Sequence, residues 1–205
     1  MIRTIAMLAA AAAVLAVSPP ALAQQQQQRE GVRVGLGLGM NVNQLVQPTN
    51  LNFTGLPPVA LYVPIQISSQ FRVEPWLGFW TFSQNDFPGR VGDMSNHVWD
   101  IGVGGLWYFQ PATPLGLYLG GRLALTFSGA EIDPGVTASE TDFRIHAVGG
   151  AEYFIAQRFS FGAELQVGPT FYGDPSVEAA GVTTTPSRNL VSWQTNGVLF
   201  FRYFL

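Results

Sequence analysis

Alternation of apolar and polar residues recurs along almost the whole chain after its first 30 residues. Eight segments follow this period of two, which is typical of β-strands with one apolar and one polar face. They are residues 31–46, 58–68, 71–83, 96–109, 115–128, 141–155, 159–172 and 189–205. A chain with this pattern is predicted to fold into a sheet that has two faces of opposite polarity.

The connections between the segments alternate in length. Those after the second, fourth and sixth segments are short, whereas those after the first, third, fifth and seventh are long and rich in Pro, Gly, Asn and Asp. An even number of strands, with short turns at one end and long loops at the other, is typical of a membrane barrel. The predicted fold class is therefore all-β, an eight-stranded antiparallel up-and-down transmembrane β-barrel over residues 31–205.

A soluble β-sandwich also has alternating strands, so the composition of the polar face has to distinguish the two folds. In water that face is rich in Lys and Glu, but all ten basic residues of this chain are arginine. Arginine forms bidentate pairs with carboxylates and tolerates burial, whereas lysine prefers water. The polar face therefore predicts an enclosed charge network inside the barrel, formed by Arg33, Arg72, Glu74, Asp100, Arg122, Asp142, Arg144, His146, Glu152, Glu164 and Arg202.

Within this network, Arg72, Glu74, Arg122 and Arg144 are hypothesised to form the central cluster. Because the arginines and acids of the polar face balance, the network favours a plugged interior over an ion path. A candidate inner pocket on the same face would be lined by aromatic side chains, namely Tyr62, Trp76, Trp80 and Tyr118.

Aromatic residues of the apolar face fall into two groups. One group lies near the short turns and comprises Phe71, Trp107, Phe109, Tyr153, Phe159 and Tyr203. The other lies toward the long loops and comprises Phe79, Trp99, Phe127, Phe143, Phe171 and Trp193. Two aromatic belts that bracket an aliphatic middle match the two interfaces of a bilayer.

The stretch RVGLGLGMNVNQ has glycine at every second position, namely Gly35, Gly37 and Gly39. A dinucleotide-binding loop needs a different glycine spacing and an acidic residue about 20 positions further on, so phosphate binding is not predicted. These glycines are instead expected to face the narrow barrel interior. Large inward side chains of the last strand would then cover them, namely Phe200, Arg202 and Phe204.

The N-terminal residues have a separate character. Arg3 precedes an apolar run, and Ala21 and Ala23 match a small-residue cleavage site, which predicts a secretory signal peptide at 1–23. A Gln-rich linker follows at 24–30. With a net charge of -3 the chain lacks the basic balance needed for nucleic acid, and its two distant histidines and lack of cysteine predict no metal site. No cofactor is expected.

The signal peptide, the eight alternating segments and the ending VLFFRYFL resemble the small outer-membrane β-barrel proteins of Gram-negative bacteria, of the OmpA transmembrane domain and OmpX type. The resemblance implies a location in the bacterial outer membrane, where the barrel contacts lipid and lipopolysaccharide and is expected to be a monomer. It also implies a C-terminal signal for the barrel assembly machinery at Phe201, Tyr203 and Leu205. That family commonly ends in Phe, and this chain departs from it at Leu205.

Three functions are compatible with such a barrel. The favoured one is a structural or surface-interaction role, with extracellular loops as the binding surface, a plugged polar interior and no enzymatic activity. The first alternative is a narrow channel or a conduit for a small hydrophobic ligand, similar to OmpW-type barrels. The second, a lipid A-modifying enzyme, is disfavoured because Trp99 stands two residues after His97, where the deacylase family has a serine.

Overall fold

A computed structural model of the chain describes residues 32–42, 56–84, 94–109, 114–133, 135–187 and 189–205. Its strands are β1 (Arg33–Asn41), β2 (Val59–Tyr62), β3 (Ile65–Gln66), β4 (Phe71–Gln84), β5 (Met94–Phe109), β6 (Leu115–Asp133), β7 (Val136–Ala156), β8 (Phe159–Tyr172), β9 (Ser176–Ala179), β10 (Val182–Thr184) and β11 (Leu190–Phe204). The signal peptide and the linker lie outside the described residues and stay predictions. No helix in the described part of the chain is long and apolar enough to span a membrane.

The strands close into an eight-stranded antiparallel barrel, which confirms the predicted fold class. Around the barrel the order is β1, the β2–β3 pair, β4, β5, β6, β7, β8 and β11. Closure is made by β1 and β11, whose register runs from Gly35 opposite Phe204 to Asn41 opposite Val198. This β1–β11 pairing is called the seam below.

The second barrel strand is interrupted at Pro64, which divides the predicted segment 58–68 into β2 and β3. Proline has no N–H to donate to a sheet ladder. Its carbonyl still accepts a hydrogen bond from Gly35 N at 2.9 Å, and Val63 N donates to Pro75 O at 2.9 Å. The barrel wall therefore stays continuous across the interruption.

The fifth connection differs from the long loop expected from the sequence. β6 continues to Asp133 and β7 starts at Val136, so a tight turn replaces the loop. Gly135 in this turn has a φ of 87°, which glycine adopts without strain. β9 pairs with the start of β7 from Val136 to Ser139. This part of β7 is therefore paired on both sides, because it also pairs with β6 as far as Asp133 opposite Val136.

The two faces of the wall have opposite polarity, with the apolar face outside. Leu36 and Leu119 are 52% and 58% exposed on the outer surface, whereas the Glu74 side chain inside is 0% exposed. The interior also holds an apolar cluster toward the short-turn end, formed by Leu106, Tyr108, Tyr118, Val148 and Phe200. An apolar exterior around a charged interior is the reverse of a soluble protein and fits a lipid surround.

Large side chains in the interior lie across glycines of neighbouring strands. The Trp76 ring occupies the position that a Cβ atom of Gly102 would need, and Arg122 Nη1 lies 2.8 Å from the position of a Cβ at Gly104. Tyr118 likewise covers Gly150. The glycines thus provide the space that a narrow eight-stranded interior would otherwise lack.

The three glycines of β1 follow the same rule, with one change from expectation. A Cβ at Gly35 would lie 3.2 Å from Phe204 Cδ1, and one at Gly37 would lie 3.0 Å from Arg202 Cγ, as expected. At Gly39 the covering ring is that of Tyr62 rather than that of Phe200. Tyr62 reaches this glycine from β2, on the other side of β1.

We expect Gly102→Ala to lower the free energy of unfolding by about 1–3 kcal/mol, because the new methyl group would overlap the Trp76 ring. It would also lie 2.6 Å from the Leu123 carbonyl oxygen. Gly121→Ala is the control, since its nearest neighbour would be 3.8 Å away on the lipid-facing side. Urea unfolding in lipid vesicles compares the two variants, and equal stabilities would contradict the role assigned to the interior glycines.

Candidate functional site

Charged side chains from five strands form an alternating chain of ion pairs across the barrel interior. In order, its members are Glu164, Arg122, Glu74, Arg202, Glu152 and Arg72. We call this set the ion-pair chain. Every member is buried, with at most 4% of the residue exposed.

The first half of the ion-pair chain is centred on Arg122 of β6. Its Nε donates to Glu164 Oε1 at 2.7 Å and its Nη2 to Glu164 Oε2 at 2.8 Å, which is a bidentate pair with β8. Nη2 also donates to Glu74 Oε1 of β4 at 2.7 Å. Arg122 therefore connects two strands that are not its own neighbours in the sheet.

The second half is centred on Arg202 of β11. Its Nη2 donates to Glu74 Oε1 at 2.8 Å, and its Nη1 lies 3.3 Å from Glu152 Oε2. Glu152 of β7 also accepts a hydrogen bond from Arg72 Nη1 at 2.7 Å. Glu74 and Glu152 are thus each shared by two arginines.

Neutral hydroxyl groups add hydrogen bonds to two of the three carboxylates, those of Glu164 and Glu152. Tyr118 donates to Glu164 at 2.9 Å, while Tyr108 and Ser160 each donate to Glu152 at 2.5 Å. Tyr108 and Ser160 were not among the predicted network residues, although both occupy the polar face of their strands. The alternation alone would have found them, had it been applied to hydroxyl groups as well as to charges.

A second, smaller group surrounds Asp100 of β5. Its Oδ2 accepts a hydrogen bond from Trp76 Nε1 at 2.9 Å, and its Oδ1 accepts one from Thr126 at 3.0 Å and another from Arg144 Nη2. Arg144 was hypothesised to belong to the central cluster. It pairs here with Asp100 instead, and Arg202 occupies the central position.

The remaining predicted network residues lie around these two groups. Arg33 is near the short turns, where it donates to the Gln157 carbonyl at 2.8 Å. Asp142 is buried toward the long loops and accepts a hydrogen bond from Gly173 N at 3.2 Å. His146 is buried opposite Arg122 in the register of β6 and β7. The interior side chains are thus arranged in layers along the barrel axis.

The predicted aromatic pocket is only partly assembled. Tyr62 and Trp76 stack with ring centroids 6.1 Å apart and line a recess of about 30 Å³ beside Arg122. Tyr118 belongs to the apolar cluster nearer the short turns, and Trp80 stacks on Phe82 near the long loops. Since a cavity needs about 10–15 Å³ to hold one water molecule, the recess has room for water rather than for an organic ligand.

No metal-binding group of three or more His, Cys, Asp or Glu side chains occurs within the ranges that the structure describes.

His97 lies on the outer wall opposite Gly129, which has no side chain and so leaves room for the imidazole ring. Trp99, two residues further along the strand, also faces outward and is 42% exposed.

The outer wall carries aromatic contacts at both ends. Phe79 and Trp99 lie 4.3 Å apart by ring centroids toward the long loops, and Phe71 and Trp107 lie 6.3 Å apart toward the short turns. The residues of the assembly signal implied by the resemblance also face outward, at the end of the wall near the short turns. They are Phe201, Tyr203 and Leu205. The outer wall is therefore apolar from one aromatic group to the other.

Comparison with known families agrees with this geometry. The family model described as an outer membrane protein beta-barrel domain matches residues 8–185. The chain belongs to the outer membrane protein beta-barrel family. Membership implies a location in the bacterial outer membrane. No curated protein matches the chain.

Solved structures of outer-membrane proteins are similar to this chain at low sequence identity. A major outer membrane protein from Thermus thermophilus is 15% identical, with a TM-score of 0.53 over 86% of this chain and 100% of that one. Neisserial surface protein A is 13% identical, with a TM-score of 0.47 over 85% and 99% of the two chains. The N-terminal beta-barrel domain of Pseudomonas aeruginosa OprF is 11% identical, with a TM-score of 0.44 over 85% and 96%.

Arg122→Met is expected to lower the free energy of unfolding of this beta-barrel by about 3–5 kcal/mol, because Glu74 and Glu164 would each lose a buried partner. Arg158→Met is the control, since Arg158 is exposed in the turn between β7 and β8. The free energy of unfolding of this variant should stay within about 0.5 kcal/mol of that of the unsubstituted chain. Urea titration monitored by heat-shifted gel mobility measures both. If Arg122→Met lowered the free energy of unfolding no more than Arg158→Met does, the interior would be hydrated.

Proposed function

We propose that this outer-membrane barrel has a plugged interior and a structural or surface-interaction role, with its extracellular loops as the binding surface. The observation that supports the proposal is the ion-pair chain, whose buried and mutually paired side chains connect five strands across the barrel interior. Loops on a rigid scaffold are where binding functions concentrate. The long-loop end of the barrel also carries structure of its own, because β9 and β10 extend the sheet there.

The principal alternative is a channel or a conduit for a small hydrophobic ligand. The stacked rings of Tyr62 and Trp76 are the observation that favours it. Against it stand the small volume of the recess and the charged groups around it, since Asp100, Arg122 and Arg144 also line the space. Apolar ligands bind in larger and mostly apolar cavities. A third possibility, lipid modification at His97, is not proposed.

Conductance in a planar lipid bilayer tests the plugged interior. We expect no current steps from the refolded chain, once its folding has been established by heat-shifted gel mobility. Arg122→Ala serves as the reference, because any current that passes through the interior should change in size when this side chain is shortened. Reproducible steps that change in this variant would contradict the proposal and favour the conduit.

The proposed partners are outer-membrane lipid and lipopolysaccharide at the wall, and the barrel assembly machinery at the last strand. Support for lipid contact comes from the exposed aliphatic side chains in the middle of the wall, including Leu123 at 47%. Val103 and Ile145 flank Leu123 on the neighbouring strands. This middle band is the part of the wall that hydrocarbon would cover.

We expect Leu123→Arg to destabilise the barrel in lipid vesicles by about 2–4 kcal/mol, because a charge at the bilayer midplane must be desolvated. Leu123→Gln is the matched control, since glutamine is polar and of similar length but uncharged. This variant should lose less stability than Leu123→Arg. Unfolding in urea measures both. If Leu123→Arg were as stable as the unsubstituted chain, this position would not lie in hydrocarbon.

A further inference from the structure

The ion pair between Arg202 and Glu74 joins strands on opposite sides of the seam. Arg202 is on β11, one of the two strands that form the seam. Glu74 is on β4, which is separated from β11 by β1 and the β2–β3 pair. The contact between Arg202 Nη2 and Glu74 Oε1, 2.8 Å long, therefore depends on β11 being docked on β1. The pair of Arg122 with Glu74 joins β6 to β4 without crossing the seam.

The charge balance of the ion-pair chain also depends on Arg202. With it, three arginines face three glutamates, so the formal charge is zero. Without it, Arg72 and Arg122 face the same three glutamates, and the formal charge is -1. When the seam opens, Arg202 keeps Glu152, because that pair joins β11 to β7 on the β8 side, but Glu74 loses Arg202 and keeps only Arg122.

The inner surface of the seam is shaped to receive Arg202. Gly37 is its register partner on β1, and a Cβ there would lie 3.0 Å from Arg202 Cγ. On its own strand, the guanidinium carbon lies 3.6 Å from the centroid of the Phe200 ring. Phe201 and Tyr203 point to the opposite, outer face. One strand thus has an apolar surface for the membrane and a cation for the interior.

We propose that Arg202 is the closure residue of this barrel: by pairing with Glu74 across the interior, it couples docking of β11 on β1 to the neutralisation of Glu74. Any open form of the seam then has a glutamate short of a partner. This proposal goes beyond the function proposed above, and it holds whether or not the barrel conducts ions.

Amide hydrogen exchange of the full chain, refolded in detergent micelles and followed by NMR, tests the proposal. In Arg202→Met, amides of β1 and β11 should exchange about tenfold faster or more, because the seam opens more often. Amides of the β5–β6 pairing should change much less. Arg144→Met is the matched control, since it also removes a buried, paired arginine but its partner Asp100 lies on the same side of the seam.

A charge-restoring variant separates charge from shape. Glu74→Gln combined with Arg202→Met leaves two arginines facing two glutamates, and the seam amides should recover most of their protection. Arg202→Lys, which keeps the charge, should lie between the unsubstituted chain and Arg202→Met. If Arg202→Met fails to fold, folding of the double variant with a protected seam supports the proposal.

Three results would overturn it. The first is unchanged exchange at the seam in Arg202→Met. The second is a double variant as poorly protected, or as poorly folded, as Arg202→Met alone, which would mean that the shape of the side chain matters and its charge does not. The third is the same selective opening of the seam in Arg144→Met.

Discussion

The whole structure depends on satisfying backbone hydrogen bonds in a solvent that offers none. Within hydrocarbon, a sheet with an open edge would expose unpaired N–H and C=O groups, so only a closed barrel is stable. The pairing of β1 with β11 meets this requirement. Even Pro64, which cannot donate, accepts a hydrogen bond from Gly35 and so preserves the wall. Hydrocarbon surroundings also favour an apolar outer face, because a polar side chain on that face would have to lose its hydration.

Closing eight strands creates an interior that side chains must fill, and the chain fills it with charges and aromatic rings. Glycines opposite the bulky residues make this packing possible, as Gly102 does for Trp76 and Gly37 for Arg202. Buried charges are costly unless they are paired and hydrogen-bonded. The alternating ion-pair chain pairs every charge, and it shares each of Glu74 and Glu152 between two arginines. This pairing is the physical basis for the proposal that the function lies at the surface rather than in transport.

The sequence predicted the fold and the direction of the side chains better than it predicted their partners. The number of barrel strands and the inward direction of Arg72, Glu74, Arg122 and Arg202 follow from a period of two, which is a local property of the chain. Arg144 was expected in the central cluster, but it pairs with Asp100. Trp80 and Tyr118 face inward as expected, yet they lie in different layers from Tyr62 and Trp76. The extension of β6 and β7 was also missed, because it depends on the pairing of these two strands as far as Asp133 opposite Val136.

By itself, the sequence determined which residues face outward, which face the interior, and that the interior holds charges of both signs without lysine. Alternation needs only neighbouring residues, and the absence of lysine is a matter of composition. The tertiary structure alone decided the height of each side chain along the barrel axis and hence its partner. Arg202 and Glu74, for example, are 128 residues apart and meet only when the strands have their final stagger and the seam is closed. Stagger arises from the register of every strand pair around the barrel, so no single segment contains that information.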